Sequence, residues 1–159
     1  MKASISALFP RFYDERQSAS AVRYVSVVDL DLLADGTYFV LEHEGELVAC
    51  GGWSRRDKLY TGGDAEGTDR LLDPATEPAR VRAMFVRDDW TRRGLGRRIL
   101  EACEEAARRE GFTHLVLNAT LAGIPLYEAY GFTAVEPDEV VLPDGVTLPC
   151  LVMEMPIPS

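Results

Sequence analysis

Residues 79–132 read ARVRAMFVRDDWTRRGLGRRILEACEEAARREGFTHLVLNATLAGIPLYEAYGF, and this stretch decides the fold. Ala79 to Val86 alternates apolar and polar side chains and closes on Met84-Phe85-Val86, the pattern of a strand buried on at least one face. A polar turn follows over Arg87-Asp88-Asp89-Trp90-Thr91. Arg92-Arg93-Gly94-Leu95-Gly96-Arg97-Arg98 then puts two glycines and four arginines at the head of a helix. Leu95, Ile99, Cys103, Ala106 and Ala107 recur at spacings of three and four, so one helix face is apolar. Glu104 with Arg108 and Glu105 with Arg109 are acid-before-base pairs worth about 0.3 kcal/mol each. Gly111 suits the left-handed end of that helix. His114 to Ala119 reads as a short strand, and Gly123 to Tyr130 as a second short helix running into Gly131-Phe132. Strand, helix, strand, helix implies a parallel crossover, with the glycine loop at the carboxyl end of a strand.

That loop has the chemistry of a phosphate site. The first N–H groups of a helix lack partners within it, and the aligned peptide dipoles place about half a positive charge there. Glycine at 94 and 96 keeps Cβ atoms out of the path of an anion, and Arg92, Arg93, Arg97 and Arg98 add charge. The competing reading makes the glycines a tight turn and the arginines solvated surface; the loop alone leaves both open.

The segment resembles the core of the GCN5-related N-acetyltransferases. That family binds acetyl-coenzyme A with a strand, a Q/R-x-x-G-x-G/A loop and the following helix, and often carries a tyrosine just before a Gly-Phe pair. The loop here is Thr91-Arg92-Arg93-Gly94-Leu95-Gly96, and the second motif is Leu126-Tyr127-Glu128-Ala129-Tyr130-Gly131-Phe132. Both fall in the family's order, and the resemblance extends over residues 37–155. Two positions depart from the pattern: Thr91 replaces the usual Gln or Arg, and Thr120 occupies the position seven before Tyr127 where Asn is frequent, with Asn118 nearby.

The resemblance implies an α/β fold of the acyl-CoA N-acyltransferase type. Its sheet is mixed and largely antiparallel, of about six strands, with a central parallel crossover and flanking helices. The family's usual first strand has no clear equivalent in Met1 to Ser6. Residues 1–159 form a single N-acetyltransferase domain, with residues 1–30 supplying helices of the acceptor side and residues 80–132 the acetyl-CoA-binding core. Cofactor contacts are implied for Met84, Phe85, Val86, Arg92, Arg93, Gly94, Leu95, Gly96 and Arg97. The β-strand backbone at Met84, Phe85 and Val86 would lie along the pantetheine arm and offer an N–H to the thioester carbonyl. Tyr127 is implied as the general acid that protonates the departing sulfur, with Tyr130 as understudy. The strand holds no carboxylate to act as base, so Glu77, Asp73, Glu42, a water chain or an already neutral amine stay open. The implied activity is acetyl transfer from acetyl-CoA to a primary amine of a small molecule or peptide by direct attack on the thioester. The alternative is a catalytically silent acyl-CoA sensor. Dimers are common in the family, so a homodimer is an open expectation.

Whole-chain properties agree. A chain of 159 residues suffices for one core and not comfortably for two. Lys plus Arg number 17 against 26 Asp plus Glu, a net charge of -9, which disfavours nucleic acid and suits a cationic amine. No run is long enough for a membrane span and no signal-peptide pattern opens the chain, so a cytoplasmic protein is expected. Cys50, Cys103 and Cys150 read as small buried hydrophobes, and the lone His43 and His114 lack ligand spacing; no metal is expected.

Outside the core, Ile5, Leu8, Phe9 and Phe12 are spaced like a helix face interrupted by Pro10. Ser18 is expected to cap a second helix through Ala21, Val22 and Val25. Tyr13 and Tyr24 stand on these helices as packing or substrate-contact groups. Thr37 to His43 and Glu46 to Trp53 read as a hairpin about Glu44-Gly45, with Gly51-Gly52 marking a bulge or a close approach by ligand. Ser54 to Pro78 is irregular and is expected to form a lid, with Arg55, Arg56, Tyr60 and Asp73 available. Thr133 to Leu142 and Val146 to Met155 read as strands joined at Pro143-Asp144-Gly145.

Overall fold

A computed structural model describes residues 1–26, 28–58, 67–87 and 93–158, without the side chains of residue 3 and residues 67–69. Thr91, Arg92 and Tyr60 lie outside the described residues. The elements run α1 (Lys2–Leu8), a 3-10 turn (Phe9–Arg11), α2 (Glu15–Tyr24), α3 (Leu30–Asp35), β1 (Tyr38–His43), β2 (Glu46–Ser54), β3 (Arg56–Lys58), β4 (Gly67–Leu71), β5 (Ala79–Val86), α4 (Leu95–Arg109), β6 (His114–Thr120), α5 (Ile124–Tyr130), β7 (Thr133–Val141) and β8 (Thr147–Pro156).

Six strands form the main sheet in the order β1-β2-β5-β6-β8-β7, with β3 and β4 pairing as a separate hairpin. Every neighbour in the main sheet is antiparallel except β5 with β6. This is the mixed sheet expected, with the crossover through α4 at its centre. Residues 2–8 are helical, so among the described residues no strand precedes the N-terminal helices.

Two apolar layers sandwich the sheet. On one face α4 buries Leu95, Ile99, Leu100, Cys103 and Ala107 against Trp53, Val81, Leu115, Leu117 and Met153. On the other, Ile5, Phe9, Tyr13 and Ala21 cover Val140, Leu142, Leu148 and Cys150. Tyr13 is a packing residue whose hydroxyl is committed: it donates to Pro149 O at 2.7 Å and accepts from Leu121 N at 3.0 Å.

Three expectations are corrected here. Asp14, not Ser18, caps α2: its Oδ1 accepts from Gln17 N at 2.7 Å while Gln17 Oε1 accepts from Asp14 N at 3.0 Å, a reciprocal capping box. Ser18 is buried one turn inside. The segment from Ser54 to Pro78 contains the β3–β4 hairpin, pinned by Arg55 on Glu110 and by Arg56 on Asp35. Cys50 is only half-buried, and its Sγ accepts from the Tyr38 hydroxyl at 3.3 Å.

Candidate active site

The site begins with a fault in β5. Between the pairs Cys50↔Phe85 and Gly52↔Arg82, β5 advances one residue more than β2, and Ala83 sits at φ 59. An extra residue in one strand of a pair bends it and sharpens its twist. The bulge turns Met84 over Gly51, where a Cβ would lie 2.2 Å from Met84 Sδ. The close approach expected at Gly51-Gly52 is therefore made by the chain itself, by Met84 at Gly51 and by the Thr37 carbonyl at Gly52, where a Cβ would lie 2.4 Å from it.

The bend has a larger consequence on the other side. β5 and β6 pair only at Ala79↔Leu115 and Arg80↔Val116, after which the two strands part. Beyond Arg80, the β6-facing backbone of β5 has no strand partner among the described residues, although buried N–H and C=O groups require one. A cleft of about 450 Å³ occupies the wedge. Met84, Phe85 and Val86 line one wall, Leu117, Asn118 and Thr120 the other, and Gly94, Leu95, Gly96 and Arg97 stand at one end. Ile5, Leu8, Phe9 and Val25 line the cleft from the N-terminal helices, which belong to the other apolar layer from α4.

The two glycines at the head of α4 do different work. Gly94 is the N-cap at φ 75, and a Cβ there would meet nothing within 4 Å, so its backbone is open to an approaching group. Gly96 is buried, and a Cβ would lie 2.7 Å from Leu126 Cδ2; its size lets α5 pack on α4. The side chains of Arg93, Arg97 and Arg98 are exposed around that end. These residues fit a diphosphate: an N-terminus of a 15-residue helix, an open glycine and flanking guanidinium groups.

Tyr127 lines the same cleft from α5, buried against Phe132 in an edge-to-face contact with ring centroids 5.8 Å apart. Its hydroxyl has no hydrogen-bond partner among the described residues. Burial, reinforced by the nearby Cys103 thiol, raises the phenol above its ordinary value of 10.0, so it carries its proton throughout the neutral range. Tyr130 does not share that role. Its hydroxyl is bonded to Glu104, its ring lies under Arg97 at 5.3 Å, and it does not line the cleft, so it is no understudy.

The carboxylates considered as bases are elsewhere. Glu77 is gripped by Arg70 at 2.7 Å and by the Asp73 N–H, which hold it down at about 2. Glu42 is exposed on β1, and neither it, Asp73 nor Glu77 lines the cleft. No described residue between Arg55 and Pro78 does, and residues 59–66 of the expected lid lie outside the described residues. Asn118 Nδ2 donates to Asp138 Oδ2 at 2.8 Å, leaving Asn118 Oδ1 buried and unpaired. That pair joins β6 to β7, 20 residues apart in the chain, and carried no sequence signal.

A family model described as the acetyltransferase (GNAT) family matches residues 3–132. The chain belongs to that family and is an acetyl-CoA-dependent N-acetyltransferase. Solved structures agree on the fold. A GCN5-related N-acetyltransferase from Rhodopseudomonas palustris superposes with a TM-score of 0.73 at 18% identity, over 98% of this chain and 84% of that one. The PaiA N-acetyltransferase of Thermoplasma acidophilum, solved with coenzyme A, gives 0.66 at 12% identity, over 98% and 87%. The ribosomal-protein-S18-alanine N-acetyltransferase of Escherichia coli gives 0.55 at 21% identity, over 86% and 83%. No curated protein sequence matches the chain significantly. Among the described residues no helix is long and apolar enough to cross a membrane.

Proposed function

We propose that this N-acetyltransferase carries an acetyl group from acetyl-CoA to a primary amine of a small molecule or peptide by direct attack on the thioester. The observation behind the reading is that one cleft joins the open N-terminus of α4, the unpaired backbone of β5 and the Tyr127 side chain. Gly94, Leu95, Gly96, Arg93 and Arg97 hold the diphosphate, with Arg92 assigned beside them from the sequence. The backbone of Met84, Phe85 and Val86 takes the pantetheine arm as an extra strand would. One of its N–H groups faces the carbonyl oxygen that becomes negative as the amine nitrogen bonds to carbon.

Collapse of that intermediate breaks the carbon–sulfur bond. Tyr127 donates its proton to the departing thiolate and recovers one from solvent, while the amine nitrogen gives up its own proton to water. Burial keeps the phenol protonated at every working pH, so the proton is present to be donated, while the same rise makes it a weaker acid than a free tyrosine. With no carboxylate among the described cleft-lining residues, the nucleophile is the neutral amine, and turnover rises with pH until the amine is deprotonated.

The test is release of free thiol from acetyl-CoA over an amine panel, with Tyr127→Phe as the variant. The expected loss is about 100-fold in kcat, the usual scale for a general acid, with CoA affinity by calorimetry unchanged. Unaltered turnover in the variant removes Tyr127 from the chemistry. Binding of acetyl-CoA without thiol release on any amine would instead mark a silent acyl-CoA-binding module.

A further inference from the structure

The part of the cleft walled by the N-terminal helices differs in kind from the head of α4. Ile5, Leu8, Phe9, Val25 and Phe85 give it apolar walls. Ser4, Asn118 and Thr120 are its polar side chains, and all three are neutral. Across the whole cleft the described ionisable side chains are Arg82, Arg97 and Tyr127; none is a carboxylate. Arg82 is spent on Asp29, at 3.1 Å and with both side chains buried, and the Asp138 carboxylate lies behind the wall on Asn118. Among the described residues, then, no carboxylate lines the cleft to serve as a counter-ion.

A polycation is ill matched to such a site. An ammonium other than the reacting one would leave water without an anion to meet it, and buried charges without partners are strongly disfavoured. An apolar skeleton gains from the same walls. We infer that the acceptor is a primary amine on an uncharged, apolar carbon skeleton, and that Leu8 and its neighbours select that skeleton. This rests on the N-acetyltransferase reading above and names the substrate class of that site.

The experiment compares phenethylamine with spermidine as acceptors for the full chain, using thiol release at pH 8. Phenethylamine is expected to show kcat/KM at least about tenfold higher. Leu8 is only partly buried, so Leu8→Ala leaves the fold intact, and calorimetry of CoA on the variant checks this. The variant is expected to raise the phenethylamine KM about fivefold with the acetyl-CoA KM unchanged, because only acceptor contacts are lost. Spermidine used as well as or better than phenethylamine overturns the inference, as does an unchanged phenethylamine KM in Leu8→Ala. Should neither amine turn over, saturation-transfer NMR of phenethylamine on the CoA-loaded protein decides: a signal weakened in Leu8→Ala supports the subsite, and no signal overturns it. Failure of CoA to bind at all would sink the acetyltransferase reading itself, a result the calorimetry reports separately.

Discussion

Arg82 and Asp29 form a buried ion pair between β5 and the start of α3, with Arg82 Nε 3.1 Å from Asp29 Oδ2 and side chains 0% and 4% exposed. Arg82 Nη2 also donates to Asp29 Oδ1 at 3.3 Å, and Nη1 to Lys58 O at 3.2 Å. Asp29 in turn caps α3 by accepting from Leu32 N. One guanidinium thus ties the start of α3 and the β3 hairpin to the strand that lines the cleft.

Removing one partner strands the other charge in the interior. Arg82→Met is expected to cost about 3–5 kcal/mol of stability. Arg82→Met with Asp29→Leu should recover most of that, falling short by about 1 kcal/mol for the lost α3 cap. Urea unfolding midpoints of the single and double variants check this. A single variant within about 1 kcal/mol of the parent would show that the pair is not desolvated as described.

That pair also shows where sequence reading stops. The α4 periodicity and the β5 alternation are local patterns, each enforced by one buried face, so both elements were legible along with the glycine head of the helix. The bulge was legible only by proxy, through Gly51-Gly52; the residue that carries it is Ala83, which has no turn chemistry of its own. Asp14 with Gln17 three residues on is a local capping-box signature that competes with Ser18 for the start of α2. Arg82 with Asp29, Tyr130 with Glu104 and Asn118 with Asp138 are 53, 26 and 20 residues apart, and nothing local selects one carboxylate from the others.

Gly94 and Gly96 separate by mutation. Gly94→Ala meets no neighbouring atom but must hold a side chain at φ 75, at a cost of about 1–2 kcal/mol. Gly96→Ala pushes on Leu126, with overpacking of about 1–3 kcal/mol partly offset by about 1 kcal/mol of helix propensity. Adding Leu126→Ala should relieve the Gly96→Ala strain, so the double loss is smaller than the sum by at least about 0.5 kcal/mol, and should not couple to Gly94→Ala. Equal coupling at both positions would refute the division of roles.

Alkaline pH should unfold the protein through its buried acids. The Cys103 thiol is pushed by burial from 9.0 up to about 12, and the Tyr127 phenol is raised above 10.0. Below pH 9 both states hold these protons, and the groups add no slope. Above it the unfolded chain binds fewer protons than the folded one, so stability falls, by up to about 1.4 kcal/mol per pH unit for each group. Melting temperatures between pH 8 and pH 11 test this. Cys103→Ala should flatten the decline above pH 9, and an identical slope in the variant would count against a neutral buried thiol.

Arg97 offers the sharpest test of the diphosphate site. Its guanidinium lies over the Tyr130 ring at 5.3 Å and only 3.9 Å from Glu101, half-exposed, so it is positioned by neighbours yet remains within solvent screening. Arg97→Ala is expected to weaken CoA binding about five- to tenfold at low salt, near the lower end for a hydrogen bond to a charged group. Raising salt from about 0.1 M to 1 M shortens the screening length from about 10 Å to about 3 Å, and should weaken the parent's binding and narrow its gap to the variant. Arg109→Ala, at the far end of α4 and paired with Glu105, is the control that should leave CoA affinity unchanged. Calorimetric titration of CoA at the two salt concentrations decides. Equal affinity of parent and Arg97→Ala at low salt would move the diphosphate away from the head of α4.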